Sequence, residues 1–493
     1  MISGTEWSLA DLHHIHDLCA GHFDRLFGLP LYENQLEVIC AEQMLDAISA
    51  LGLPVHYGHW SFGKSFLGAQ RHYQQGHSAL AYEIVLNTRP AIAYLMETNT
   101  LAMQTLVIAH ACFGHNAVFA NNELFLERSN ADAILDYCVF ARDYVRRCEE
   151  RYGSERVEEV LDAAHALQEH GIDRYKRPSR LDSKRERDAQ TERMRAAMAA
   201  NAQHALAGLR PLAAPEAPAP SKPERFPTEP QDNLLYFIEK QSPSLDPWQR
   251  ELVRIVRKFA EYFHPQRLTK VLNEGFASFT HYTLLHAMHD AQELSDANFL
   301  EAIESHTAVV KQRAFGEINP YALGFSIFRD LRRVCEQPQP EDFHLLPAIA
   351  GQPFRTMLRE AVTHYRDDSF LLQFLTPKVV RDLGLFAIST HSGAPSWTVD
   401  AVQDLDGFRE IRSQLARSYL LERRVPEIEV FDYARTNTRA LTLRYRPVGG
   451  RHLDIDSATR VMRHVKRLWN FPIRMLEVDD SNANSTGKLL LTV

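Results

Sequence analysis

A mostly α fold is predicted, with one large helical core formed by two segments of chain and a small C-terminal α+β domain. Three observations predict it. Apolar residues recur at helical spacing through residues 1–176 and again through 233–390. Between these segments, residues 177–232 turn first charged and then proline-rich, which reads as an exposed helix running into a stiff linker. After residue 390 the pattern becomes strand-like alternation around one basic helix.

The elements follow in order. In "NQLEVICAEQMLDAISALG", Leu36, Ile39, Cys40, Met44, Leu45 and Ile48 form one stripe, and Gly52 with Pro54 supplies a stop, so a single helix is expected. "RPAIAYLMETNTLAMQTLVIAHACFGH" is apolar on nearly every side and reads as a central buried helix. Seven of the twenty residues from Pro211 to Pro230 are proline, which marks the linker. In the second segment Asp246 caps and Pro247 opens a helix expected to end before Pro265. The C-terminal part reads as strands "EIEVFDY" and "ALTLRYRP", a Gly-Gly turn, the helix "SATRVMRHVKRLW", then strands "IRMLEV" and "KLLLTV".

Composition narrows the function. The formal charge of −8 gives no global basic field, and no nucleic-acid partner is expected. The N-terminus lacks the order of a secretory signal and no apolar run is long enough to span a bilayer, so a cytoplasmic protein without a membrane span is expected. Six scattered cysteines without a CxxC pair read as reduced thiols. Histidine stands out with 23 copies, ten of them before residue 120, and directs the search toward a metal or proton-transfer site.

"GHWSFGKS", Gly58 to Ser65, fits the spacing of a phosphate-binding loop. The fit reads as accidental, because such a loop needs a buried strand before it and slender residues that let backbone N–H groups wrap a phosphate. Here a helix precedes, and Trp60 and Phe62 obstruct the cradle.

This stretch, "GLPVHYGHWSFGKSF", occurs in order with "LAYEIVLNTRPAIAYLMETNT", "LVIAHACFGHNAVFANNELF", "PQRLTKVLNEGFASFTHY" and "INPYALGFSIF". Together the five blocks resemble the stage V sporulation protein R (SpoVR) family, with Phe276 standing where that family commonly has tryptophan. The resemblance implies a cytoplasmic bacterial protein linked to spore-cortex formation in sporulating species and to stress or envelope physiology in others. It also implies neighbours in the genome, a PrkA-type serine kinase and a von Willebrand-like protein, as partners. No chemistry comes with the resemblance, so the chemistry must come from residues.

Glu274 and His281 are seven apart on one apolar helix and share a face, where an ionised carboxylate needs a cation or hydrogen bonds. His110 and His115, five apart, would diverge by about 140° on a regular α-helix, unless Gly114 ends or bulges it. With that distortion, His110, His115 and His281 would hold zinc or iron, while Glu274 completes the shell or acts as general base. A variant adds Glu83 and Glu97 to form a carboxylate-bridged dimetal centre. His59, Trp60 and Lys64 are expected to line the same cavity, with Lys64 facing an anionic group. Asn319 and Pro320 read as a turn into a helix, and Tyr321 as a packing residue. Two functions stay open: a regulator of stress or envelope physiology containing a metal-like site, towards which the reading leans, and a metal-dependent hydrolase with Glu274 as base.

Overall fold

Ser8 opens the first helix, α1 (Leu9–Leu26), because its hydroxyl accepts from the Asp11 N–H while the Asp11 carboxylate accepts from the Ser8 N–H at 2.8 Å. The computed structural model describes the chain except for residues 50–52, 54, 63, 65–82, 175–190, 192–194, 196–225, 314–316, 386, 390–397, 401–404, 422–424, 435–437, 448–450 and 479–486. Most of the expected linker, and the Gly-Gly turn, lie outside the described residues.

The N-terminal segment contains a small sheet where helices were expected. "NQLEVI" forms β1 (Asn34–Ile39), and only the following residues form helix α2 (Ala41–Ser49). After β2 (Glu83–Leu86), "AIAYLM" forms β3 (Ala91–Met96), parallel to β1 and antiparallel to β2. A strand in the middle of a sheet is buried on both faces, as all six residues of β3 are, so its sequence shows an apolar run without period and cannot be told from a buried helix. Thr100 then caps α3 (Leu101–Ile108) by accepting from the Met103 N–H, and the chain continues as a π-helical turn, Ala109–His115.

Among the described residues there follow the α-helices α4 (Asn116–Asn121), α5 (Glu123–Arg128), α6 (Ile134–Tyr152) and α7 (Ser154–Ala166), and a 3-10 turn, Gln168–His170. The second segment opens with α8 (Leu234–Gln241), followed by α9 (Pro247–Leu268), capped by Asp246 as expected. α9 runs through Pro265 rather than ending before it. The proline sits in the last turn, and burial of Tyr262, His264 and Leu268 holds the helix together despite the missing N–H. Then come α10 (Lys270–Asp290), α11 (Asp296–Val309) and α12 (Pro320–Glu336), the last capped by Asn319. Shorter helices α13 (Pro340–Leu345), α14 (Phe354–His364), α15 (Asp367–Phe374) and α16 (Pro377–Asp382) surround α12.

Beyond a hairpin of β4 (Ala387–Ser389) and β5 (Thr398–Asp400) and the helix α17 (Leu405–Tyr419), a four-stranded sheet forms in the order β6–β7–β8–β9. Its strands are β6 (Glu427–Tyr433), β7 (Leu441–Arg446), β8 (Ile473–Glu477) and β9 (Lys488–Thr492). β7 and β8 are parallel, joined by α18 (Ile455–Trp469), which buries Met462, Val465, Leu468 and Trp469 and turns Arg460 and Arg463 outward.

Two main cores result. One gathers α1, α3, the π-turn, α10, α12 and α14–α17. The other joins α6–α9 to the C-terminal sheet and α18, so the last part of the chain shares a core with helices from both earlier segments. All six cysteines are free. Among the described residues no helix is long and apolar enough to cross a membrane.

In the second core and at its edge, burial holds the His170 imidazole down at about 4 and that of His264 at about 3. Both are therefore neutral in the folded chain and gain a proton on unfolding below their ordinary value of about 6.5. Their folded values are depressed, so stability is full above about pH 6.5 and falls as the pH drops towards 4 and 3. The expected cost is about 1.4 kcal/mol per pH unit from each ring. Urea midpoints measured from pH 7.5 to 5 should fall, and the His264→Asn variant should flatten the slope. A midpoint that does not change between pH 7 and 5 would contradict this account.

Candidate metal centre

The π-turn is the local device that builds the site. Its i→i+5 pattern brings residues five apart onto one side, so His110 and His115 face together with ring centroids 4.7 Å apart. Gly114 lies against α10, where a Cβ would stand 2.5 Å from the Ala277 Cα, so only glycine lets the turn approach that helix so closely. α10 in turn presents Glu274 to both rings. The Glu274 Oε2 lies 3.5 Å from His115 Nε2 and 3.9 Å from His110 Nε2. From the sheet, the first residue of β2 places Glu83 Oε1 3.1 Å from His110 Nε2.

The opposite ring nitrogens are held from behind. His115 Nδ1 lies 2.9 Å from Asn273 Oδ1, which has only a lone pair to offer, so Nδ1 carries the proton and Nε2 is left as a base facing the carboxylates. His110 Nδ1 meets His281 Nδ1 at 2.7 Å, and His281 Nε2 meets His306 Nδ1 at 2.7 Å. One consistent assignment runs along this row: His110 donates from Nδ1 to His281, which donates from Nε2 to His306. It too leaves His110 Nε2 unprotonated and aimed at Glu83. His281 stands behind His110 with both ring nitrogens against other histidines, outside the group formed by Glu83, His110 and His115.

Glu83, His110 and His115 each offer one ligand atom, all within 4.8 Å of one another. Two imidazoles with one carboxylate make a donor set suited to zinc or ferrous iron. The Glu83 Oε2 is buried without a hydrogen-bond partner among the described residues, an orphan that a cation would satisfy. Burial and the nearby Glu274 charge push the Glu83 carboxyl well above its ordinary value. Glu274 moves the other way. Although burial acts to raise it, His115, His110 and a hydrogen bond from the Tyr321 hydroxyl together bring it below the ordinary carboxylate range. Burial lowers His110 to about 4, and holds His281 well below its ordinary value with help from the neighbouring His110 and His306. Two carboxyls with divergent affinities for a proton, beside two imidazoles, can bind a cation and keep a separate base.

The cluster opens into a cavity of about 640 Å³, whose polar lining includes Gln266, Lys270, Ser305, Asn319 and Tyr321. Lys270 lies one helical turn before Glu274, on the same face of α10.

The remaining expected residues lie elsewhere. Glu97 is exposed just after β3, because the straight helix that would have carried it to His115 is replaced by a strand and a turn. His59 and Trp60 pack on α7, where His59 Nε2 lies 3.1 Å from Asp162 Oδ1 and the Trp60 indole N–H donates to the same oxygen. Lys64 is exposed and, like His59 and Trp60, is not among the residues lining the cavity. Three residues of the site went unassigned or were read as packing: Asn273, His306 and Tyr321. Asn273 and Tyr321 lie within two of the quoted blocks, beside Glu274 and after the Asn319 cap, and adjacency to an already suspect acid was the signal available for the first.

Residues 6–424 match the family model described as SpoVR like protein, and residues 426–480 match the SpoVR-like C-terminal domain. The chain is 42% identical over 486 residues to "Uncharacterized protein YcgB" of Escherichia coli (strain K12), covering 98% of this chain and 94% of that protein. No solved structure matches.

Proposed function

The chain belongs to the SpoVR family, and from that premise we propose that it is a metal-dependent hydrolase of polar substrates, with Glu83, His110 and His115 as ligands and Glu274 as general base. One observation carries the reading: two imidazole Nε2 atoms and a half-buried carboxylate converge, while both Nδ1 atoms are engaged on the far side. A zinc or ferrous ion bound there would polarise a substrate carbonyl and acidify an attacking water. Glu274, whose carboxyl lies below the ordinary range and accepts a hydrogen bond from Tyr321, stands beside that position to accept the water's proton and pass it to the leaving group. Tyr321 keeps the Glu274 carboxylate in place, and Lys270 at the cavity wall favours a substrate with an anionic group one turn away from the reacting bond.

The setting is that implied by the resemblance, bacterial stress and envelope physiology, with a PrkA-type kinase and a von Willebrand-like protein as proposed partners. The test uses protein loaded with zinc or ferrous iron and a panel of blocked dipeptides and muropeptide-type amides. Glu274→Gln should keep the metal and lose at least about 100-fold in turnover. A metal-bound Glu274→Gln protein with undiminished turnover would remove the base assignment.

A further inference from the structure

A second cavity, of about 350 Å³, lies where the C-terminal sheet meets the helices. Much of its wall is apolar, with Ile428, Leu443 and Met475 from the sheet facing Val461 and Val465 of α18, and Leu234 contributed by α8.

One end differs. His170 and Arg174 are 8% and 7% exposed, yet His170 Nδ1 and Arg174 Nη1 have no hydrogen-bond partner among the described residues, and neither has the buried Nε of Arg446. His170 and Arg446 line the cavity. Arg174 stands behind the same wall, donating through Nη2 to the carbonyl of Pro426 at 2.6 Å, and Pro426 also lines the cavity. The sheet register pairs Glu427 with Arg446, so Pro426 and Arg446 mark one end of the β6–β7 ladder and the apolar residues follow from there.

The acids nearby do not meet these nitrogens. Glu429 is 3.7 Å from Arg446 Nε and is held by Arg444. Asp454 at the rim caps α18 by accepting from the Ser457 N–H, and His452 pairs with Glu477. Glu427 and Arg451 also line the cavity, each with a partner of its own.

Buried polar groups left without partners are costly, and an oily chamber with His170 and Arg446 at one end and the Arg174 charge behind is complementary to an oily molecule with an acceptor head. We propose that this cavity binds a small amphipathic carboxylate, its apolar body between the sheet and α18 and its carboxylate accepting from His170 and Arg446, with the Arg174 charge behind. The volume suits a medium-length alkyl chain and is too small for a protein helix. Such a ligand touches the helical segments and the C-terminal sheet at once, so its binding strengthens the contact between them. The inference does not depend on the metal centre.

The test titrates the full chain with decanoate, decanol and acetate by calorimetry and follows thermal unfolding. Decanoate should bind one to one and raise the melting temperature, with decanol and acetate at least tenfold weaker. Arg446→Gln, at the more exposed end of a strand, should weaken decanoate at least tenfold, and Val461→Trp should fill the chamber and abolish binding. The proposal is overturned if decanoate does not bind, binds both variants as it binds the native chain, or is matched by decanol.

Discussion

His110→Ala is expected to lower the affinity for zinc or ferrous iron by more than about 100-fold, measured by competition with a chromophoric chelator. The substitution removes one of two imidazole donors and leaves the half-buried Glu83 carboxyl without its imidazole partner. Asn273→Leu should cost less, about 10- to 100-fold, because it spares every ligand atom and frees only the His115 tautomer. His281→Phe should fall in the same range by releasing the row of rings behind His110. Glu97→Gln should change nothing, since Glu97 is exposed after β3. Affinity lost on replacing Glu97 and retained on replacing His110 would reverse the assignment.

Gly324→Ala is expected to destabilise the first core by on the order of 3 kcal/mol, the upper range for overpacking. α10 and α12 cross at a pair of glycines, where a Cβ on Gly324 would stand 2.6 Å from the Gly275 Cα and closer still to the Val271 carbonyl oxygen. These are backbone atoms, so no rotamer change relieves them and the helices must separate. Separation moves Glu274, next to Gly275, away from Tyr321, one turn before Gly324, so weaker metal binding should accompany the lower urea midpoint. Gly21→Ala is the control, because nothing lies within 4 Å of its Cβ and the position is helical. It should raise stability by about 0.5–1 kcal/mol.

The helical class and the C-terminal strands were legible because their apolar residues repeat with the period of a surface element. The N-terminal sheet was not. β3 is buried on both faces and six residues long, so it leaves no period to read, and β1 runs into α2 with apolar residues that also fit one helical stripe. The mostly α class survives that error because the sheet is small.

For the site, Glu274 could be singled out from sequence because an acid on an apolar helical face raises a question of compensation at once. The pairing of His110 with His115 required a helix that departs from 3.6 residues per turn, and Gly114 was the visible reason to expect a departure. The division between proposed ligands and supporting residues was hidden. Which nitrogen of His110 faces Glu83 and which faces His281 depends on how three helices and a strand pack, and spacing along one helix carries no such information. The same holds for His59 and Trp60, whose partner Asp162 lies about a hundred residues away on α7.

The central claim is that one cation sits between Glu83, His110 and His115. Anomalous X-ray diffraction from crystals of the untagged native chain, collected at the zinc and iron edges, tests it most directly. The account predicts a single peak bonded to His110 Nε2, His115 Nε2 and a Glu83 oxygen, with Glu274 beside it. No peak in crystals grown with either metal, or a peak elsewhere with these side chains unchanged, would contradict it.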